Sequence, residues 1–457
     1  MVKGEAFLPV VSRLGLLTAA LLSVLGLLST SRQADAQVQV VAQADGQRQI
    51  TMPVADFAKL AITRGEFDLA REVLLPVVEA EPANIEARFL LAEIDAQRQN
   101  YPSAVARYRD ILKDNPGLLR VRLDLAAALF QMGEDESSAY NFRLVLASPD
   151  LPENVRANVM DFLTVIRKRK KYDLRGAFSV SPDTNINAGT GKNEITLFGL
   201  PFTPSATTKQ KSGVGIVASA YGEYRIHLGD NFRLRANTTA WRAEYPTGAF
   251  DDTILNFQAG PQYVSQYWDI SLLTVVTRRW FGNDPFSVGV GPRVEATYSG
   301  FERWNLNTIF QYQTVDYHSQ TFQNGDTFDV TFYPRYFLST TSYVWPILGL
   351  LRTHAADPAF SNFGYRLGAG YHQELAGGIT FELQPEFLIQ DFKAASATFG
   401  SKRRDRMIRA SVSLYNRTWS LWDFSPVFNY TYTNNISNQG LFGYQRHQVQ
   451  FGLTKEY

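Results

Sequence analysis

Residues able to do chemistry are few and scattered along this chain of 457. Five histidines, His227, His318, His354, His372 and His447, stand without metal-ligand spacing, and no cysteine is present to offer a thiolate. There is no Gly-x-Ser-x-Gly elbow, phosphate loop or dinucleotide fingerprint. Ser181 and Asp183 could be set beside one of the histidines as a hydrolase, yet no spacing supports a triad. The expectation is therefore a protein without catalytic residues, metal or other cofactor. A net charge of +1 and an isoelectric point near 7.8 leave no electrostatic basis for binding nucleic acid.

The charges are instead ordered by position. Arg293, Glu295, Asp329, Arg335, Arg366, Glu382, Glu386 and Arg409 all fall on the polar side of segments that alternate apolar and polar residues. In 327–336, Phe328, Val330, Phe332, Pro334 and Tyr336 share one face, and Thr327, Asp329, Thr331, Tyr333 and Arg335 the other. Successive strand side chains point to opposite sides, so such a segment meets lipid with one face and water with the other. The pattern recurs in 287–298, 304–316, 363–372, 379–390, 408–414 and 449–453. Across 172–457 it predicts an antiparallel transmembrane β-barrel of about 14 strands. The eight charged residues then face its lumen, as a transport path or as groups that satisfy one another.

A soluble sandwich would also alternate, so other features carry the distinction. Of 60 Phe, Tyr and Trp residues, 50 follow Lys171, as the aromatic girdles of a barrel require. Short connections at 227–231, 300–303, 339–341 and 375–378 trade places with longer polar ones. Val449, Phe451 and Leu453 share a face before a terminal Tyr457. This resembles the signal read by the outer-membrane barrel-assembly machinery, although Lys455 stands where an apolar residue is usual. Pro292, Pro334 and Pro385 each remove a ladder donor, so local breaks in pairing are expected there. A short basic run at 402–406 reads as part of a barrel loop.

The elements before the barrel differ in kind. Residues 1–36 read as a secretory signal, with Lys3 and Arg13 flanking the apolar run 14–28 and Ala34-Asp35-Ala36 as a cleavage site. A linker at 37–50 leads to a helical domain at 51–171 with a 34-residue internal repeat. Gly65, Gln99 and Gly133 are equivalent, as are Ala70, Ala104 and Ser138, and Leu74, Tyr108 and Phe142. Ala58, Ala92 and Ala126 take the close-contact place of each first helix. This resembles the tetratricopeptide repeat, and 151–171 reads as its capping helix, ending in the basic run 167–171. First helices of a solenoid line its concave face, so Phe89, Glu93, Gln97, Leu123, Ala127, Phe130 and Gln131 are the candidate partner-binding residues; Leu123 and Phe130 could equally pack on the capping helix.

The fold class is thus α + β, a repeat solenoid before a barrel. The order of signal, repeats and barrel resembles the surface lipoprotein assembly modulators, the Slam proteins. Ser181-Pro182-Asp183-Thr184-Asn185-Ile186-Asn187 looks like that family's Ser-Pro-Asp-x-Asn-Ile-Asn segment on the first strand, preceded by Leu174-Arg175-Gly176. The resemblance implies an outer-membrane translocator that moves surface lipoproteins or secreted soluble proteins from periplasm to cell surface. Its partners would be protein cargo, the assembly machinery and outer-membrane lipid of a Gram-negative bacterium, with the repeats in the periplasm. An exopolysaccharide export porin, which also couples such repeats to a barrel, and a passive diffusion porin are the alternative readings.

Overall fold

The computed structural model describes residues 37–42, 48–149, 151–169, 171–416, 419 and 424–455. The secretory signal expected at 1–36 and the terminal Tyr457 lie outside the described residues. Where a linker is expected, β1 (Gln37–Ala42) pairs antiparallel with β2 (Arg48–Pro53).

Seven helices follow among the described residues: α1 (Val54–Thr63), α2 (Phe67–Ala80), α3 (Ile85–Gln97), α4 (Tyr101–Asp114), α5 (Leu119–Met132), α6 (Asp135–Leu146) and α7 (Glu153–Arg169). Phe67, Tyr101 and Asp135 each open a second helix, so the structure keeps the period of the sequence. Ala58, Ala92, Ala126, Ala70, Ala104 and Ser138 are all fully buried. Side chains this small let helix backbones approach closely, and the equally buried Leu74, Tyr108 and Phe142 fill the space behind them. The polar exception is satisfied, because the Ser138 hydroxyl donates to the Ala126 carbonyl at 2.8 Å. Gly65, Gln99 and Gly133 turn the chain with φ of 77°, 60° and 79°. Only Gln99 carries a Cβ there, a left-handed geometry that costs it about 1 kcal/mol.

The chain forms two compact units, the first ending at Asn100 and the second running from Tyr101 to Tyr457. In the first, Phe57, Leu74, Leu91 and Ile94 centre the core of α1–α3. In the second, Phe142, Val145, Leu163 and Ile166 centre a core of α5–α7, with Phe142 stacked on Phe162 at 5.1 Å.

The barrel begins with β3 (Tyr172–Asp183), followed by a small hairpin of β4 (Ile195–Leu197) and β5 (Leu200–Phe202) in the first connection. Then come β6 (Gly213–His227), β7 (Phe232–Glu244), β8 (Asp252–Val264), β9 (Trp268–Phe281), β10 (Asp284–Tyr298) and β11 (Trp304–Tyr317). β12 (Gly325–Phe332) and β13 (Arg335–Ser339) form one stave, broken at Tyr333 and Pro334. β14 (Ser342–Ala355), β15 (Asn362–Glu374), β16 (Ile379–Ala395), β17 (Lys402–Asn416), β18 (Ser425–Ser437) and β19 (Tyr444–Lys455) complete the ring. Pairing of β19 with β3 closes fourteen antiparallel staves, the number expected. Closure removes every sheet edge, as a hydrocarbon environment demands.

The lipid-facing side is apolar along each stave: Phe178 and Val180 on β3, Leu348 and Leu350 on β14, Tyr365 and Leu367 on β15 are all exposed. Pairing is interrupted beside Pro292, between Val290↔Thr314 and Arg293↔Gln311, and beside Pro385, between Gly368↔Glu386 and Tyr371↔Leu383. Two expectations need correction. The run 402–406 is no loop but the start of β17, with Arg403 and Asp405 inward and Lys402, Arg404 and Arg406 outward. Strand ends that rise beyond the hydrocarbon can carry charge on both faces. Not every connection at the end remote from the helices is long, either: β9 and β10 are joined by Gly282 and Asn283, both with positive φ, the geometry of a two-residue hairpin turn.

Candidate functional site

Four helices lie across one end of the barrel. α4 packs on the β15–β16 turn at 376–378, and α6 sets Leu144 and Ala147 against Phe337 and Tyr343. α7 reaches the other side, where Arg167 donates to the Gln266 carbonyl in the β8–β9 turn. The Arg167 and Lys168 carbonyls accept from Arg233 and His227, at the ends of β7 and β6. Those turns stand well apart in a ring of fourteen staves, so helices touching them span the opening.

A polar cluster centred on fully buried residues fixes α5 and α6 to this end. Arg122, on α5, and Glu374, the last residue of β15, are each only 1% exposed and meet at 2.5 Å. Arg122 also donates to Asn141 Oδ1 at 3.0 Å and to the Pro116 carbonyl at 2.7 Å. Tyr140, on α6, donates to Glu374 Oε1 at 2.5 Å and lies 2.9 Å from His372 Nε2; His372 Nδ1 is 2.8 Å from Glu382. Burial, and after it the charge of Glu374, holds the Tyr140 hydroxyl well above its ordinary pKa, so it remains a donor. A buried ion pair contributes little net stability over an apolar pair, yet breaking one half of it is costly. Its physical effect is therefore to make the docking all-or-none.

Two disfavoured cations sit beside this clamp. Burial first, then neighbouring Arg335, pushes Arg143 of α6 down to about 10. Burial, then Arg143, pushes Arg167 down to about 10. Arg143 and Arg167 share the wall of a small cavity with Glu302, Phe301 and Phe337. The docked helices are thus clamped at one point and, at another, hold two cations whose charge is disfavoured first by burial and then by neighbouring arginines.

The eight charged residues read as inward from alternation all lie on the concave side. Arg293 bonds Glu295 at 2.7 Å and Gln311 at 2.6 Å, and Glu295 also receives Arg235 from β7 at 2.5 Å. Arg366 meets Asp329 at 3.1 Å and Glu386 at 3.9 Å. Arg335 lies over the Tyr343 ring, and Glu382 holds His372. Arg409 has only a 4.0 Å approach to the Met407 sulfur and faces a cavity of about 340 Å³ with Arg366, Glu386 and Tyr333. Most of these charges satisfy one another, while Arg409 lines this cavity beside Arg366 and Glu386 with no ion pair among the described residues.

The first-strand motif pins the seam where β3 meets β19. Asp183 is buried and takes Arg446 Nε at 2.8 Å, and its other oxygen receives the Asn185 N–H at 2.8 Å. Asn185 Nδ2 reaches the Gln445 carbonyl at 3.0 Å, and Asn187 Nδ2 ties the following loop through the Lys209 carbonyl at 2.8 Å. Pro182 pairs with Val214 of β6. Ser181 is fully buried with no partner for its hydroxyl among the described residues. The histidine nearest along the seam, His447, bonds Tyr430 at 2.9 Å. It shares the outward face with Phe451, so no Ser–His–Asp hydrolase assembles here.

The repeat candidates separate by exposure. Phe89 packs on the core of the first unit, leaving Glu93 half-buried and Gln97 exposed on α3. On α5, Leu123 and Phe130 are engaged from α7: Phe130 meets Phe162 at 4.9 Å and lies 3.8 Å beneath the Arg169 guanidinium. Ala127 is half-buried and Gln131 exposed. Arg122, Tyr140 and Glu374 were not among the residues singled out by sequence, and His372 was named only as one of five histidines without metal-ligand spacing. A signal existed, since Arg122 interrupts an otherwise apolar α5 face and His372 and Glu374 share the inward face at the end of β15. Among the described residues no group of three His, Asp or Glu side chains could hold a metal.

A closed fourteen-stave antiparallel barrel with an apolar belt and a charged interior is an outer-membrane β-barrel, here with seven helices preceding it. Residues 172–457 match the family model "Surface lipoprotein assembly modifier", and the chain belongs to that family. It is 22% identical over 405 residues to surface lipoprotein assembly modifier 1 of Haemophilus influenzae, covering 85% of this chain and 81% of that one. It is 22% identical over 376 residues to the protein of the same name from Neisseria meningitidis serogroup B, covering 80% and 75%. Among solved structures, a FadL homologue of Pseudomonas aeruginosa aligns over 70% of this chain and 93% of its own, with a TM-score of 0.36 and 9% identity.

Proposed function

We propose that this protein moves lipoproteins across the outer membrane to the cell surface, the helices receiving cargo in the periplasm and the barrel passing it outward. The observation that carries the reading is the docking of α4–α7 across one mouth of the barrel through the buried Arg122–Glu374–Tyr140 cluster. A receiving module joined to the pore it feeds must be able to leave the opening. An interface held by one buried polar cluster, with the cations Arg143 and Arg167 lining a small cavity beside it, supports a module that can leave the opening rather than an inert plug. Residues on first helices that are not covered, half-buried Glu93 and exposed Gln97 on α3 and half-buried Ala127 and exposed Gln131 on α5, are the proposed cargo contacts. A passive porin would give the helices no task.

The test is surface display of a co-expressed lipoprotein, read by protease shaving of intact cells. Deleting 37–100 leaves the second compact unit whole. The expected result is a barrel that still shows heat-modifiable mobility while display is lost. Undiminished display would remove the receiving role from the first unit.

A further inference from the structure

The charges at the end of the barrel remote from the helices include a cluster of five cations on the lipid-facing side, of which one, Arg406, has an ion pair among the described residues. Strand pairing places Arg352, Phe363, Asp391 and Arg404 in one outward row across β14–β17. Arg406 sits one step below, Lys393 and Lys402 one step above. Below the row, outward Leu350, Tyr365, Leu367 and Ile408 are exposed and form the apolar belt. Five cations on β14–β17 thus ring the upper edge of the belt against two outward strand carboxylates on β12–β17, Asp391 and Asp326, with a third, Asp316, farther along on β11. Asp391 is taken by Arg406 at 3.2 Å, and Asp326 accepts from Tyr312 and Thr314 at 2.9 Å. Arg352, Lys393, Lys402 and Arg404 have no ion pair among the described residues. Neighbouring strands lie about 4.8 Å apart, so Arg352 and Arg404 stand roughly 14 Å from one another.

A second feature meets the first. The β4–β5 hairpin turns at Phe198 and Gly199, with φ of 49° and 77°. Phe198 is 72% exposed, with Leu200 and Phe202 beside it also exposed. A large side chain held in the left-handed region and open to solvent is disfavoured twice over, which marks a surface that meets an apolar phase. The Phe198 N–H donates to the Thr398 carbonyl at 2.8 Å, tying this tip to the β16–β17 connection just above Lys393 and Lys402.

We propose that this face is a binding site for a phosphorylated glycolipid of the outer leaflet. The guanidinium and ammonium groups take its phosphates, the belt below takes its acyl chains, and the hairpin tip rests at the level of its headgroup. The inference rests on the proposed orientation, which puts the helices in the periplasm and this rim at the cell surface.

The test uses the full chain purified from outer membranes in mild detergent, with retained lipid read by native mass spectrometry. Wild type is expected to keep phosphorylated glycolipid, and retention to fall about fivefold for each charge removed in the set Arg352→Gln, Lys393→Gln and Arg404→Gln. Arg352→Lys and Arg404→Lys should retain most of it. Arg278→Gln, an outward cation on β9, should leave retention unchanged. Heat-modifiable mobility checks that each variant folds. Equal retention by the Gln variants, or equal binding of added dephosphorylated glycolipid, overturns the site. Because the chain has no cysteine, a single Ala397→Cys reports orientation by impermeant maleimide labelling of intact cells. Labelling without lipid retention overturns the glycolipid site alone; labelling only after the membrane is opened overturns the orientation and the proposed function with it.

Discussion

Truncating Arg122 to Ala leaves the carboxylate of Glu374 sealed at the barrel mouth without its ion-pair partner, the Tyr140 hydroxyl still donating to it. Breaking one half of a buried ion pair costs about 3–5 kcal/mol. The 2.5 Å bond from Tyr140 keeps part of the charge satisfied, which favours the lower bound, about 3 kcal/mol. The penalty falls on the docked state, because an undocked Glu374 is rehydrated. Each 1.4 kcal/mol is a factor of ten, so opening of α5 and α6 from the barrel should become roughly a hundredfold more frequent. Replacing both partners, Arg122→Met with Glu374→Leu, removes the stranded charge, and the double variant should be perturbed less than the sum of the single ones by at least about 2 kcal/mol. Hydrogen exchange of the α5–α6 amides in the full chain, read by mass spectrometry in detergent, measures this directly. Planar-bilayer recordings of Arg122→Ala should show openings rare in the wild type. Unchanged exchange in Arg122→Ala, or single effects that simply add, would refute the clamp.

Other outcomes follow from the same geometry. Arg143→Met should tighten docking at pH 7, seen as slower exchange in α6, since it removes a cation that burial and Arg335 disfavour. With Arg143 lowered to about 10 when packed and back at its higher ordinary value when free, the open state binds more protons above about pH 10, so docking strengthens as pH rises past that point and the cost is constant below it. Arg409→Glu should shift single-channel selectivity toward cations, because Arg409 lines the barrel cavity without an ion pair among the described residues, whereas unaltered selectivity would place ion flow elsewhere. Asp183→Asn loses the ion pair with Arg446 across the seam and should lower barrel stability by about 1–3 kcal/mol, read as earlier unfolding in heat-modifiability gels.

The barrel was legible because lipid on one side and water on the other force a period of two that no loop imitates over fourteen staves. The repeats were legible because close helix crossings admit only small residues, hence Ala58, Ala92 and Ala126. The segment 402–406 was misread for a physical reason: a strand rising out of the hydrocarbon loses its apolar face, and alternation disappears with it. The docking cluster was hidden for another. Arg122, Tyr140, His372 and Glu374 belong to separate elements, and only the way α5 and α6 lie on the end of β15 brings them together. Leu123 and Phe130 show the limit of face assignments on a repeat, since the next helix decides whether an apolar side chain is offered or covered.

The Arg122–Glu374 pair joins residues 252 positions apart in sequence. Helices close their contacts locally and fold early, whereas this contact waits for thirteen later strands, β3 to β15, to be made and placed. During biogenesis the helical module therefore exists well before its seat does, and the opening it covers is vacant until β15 is in position. An assembly factor, or the cargo itself, has that interval in which to reach the interior.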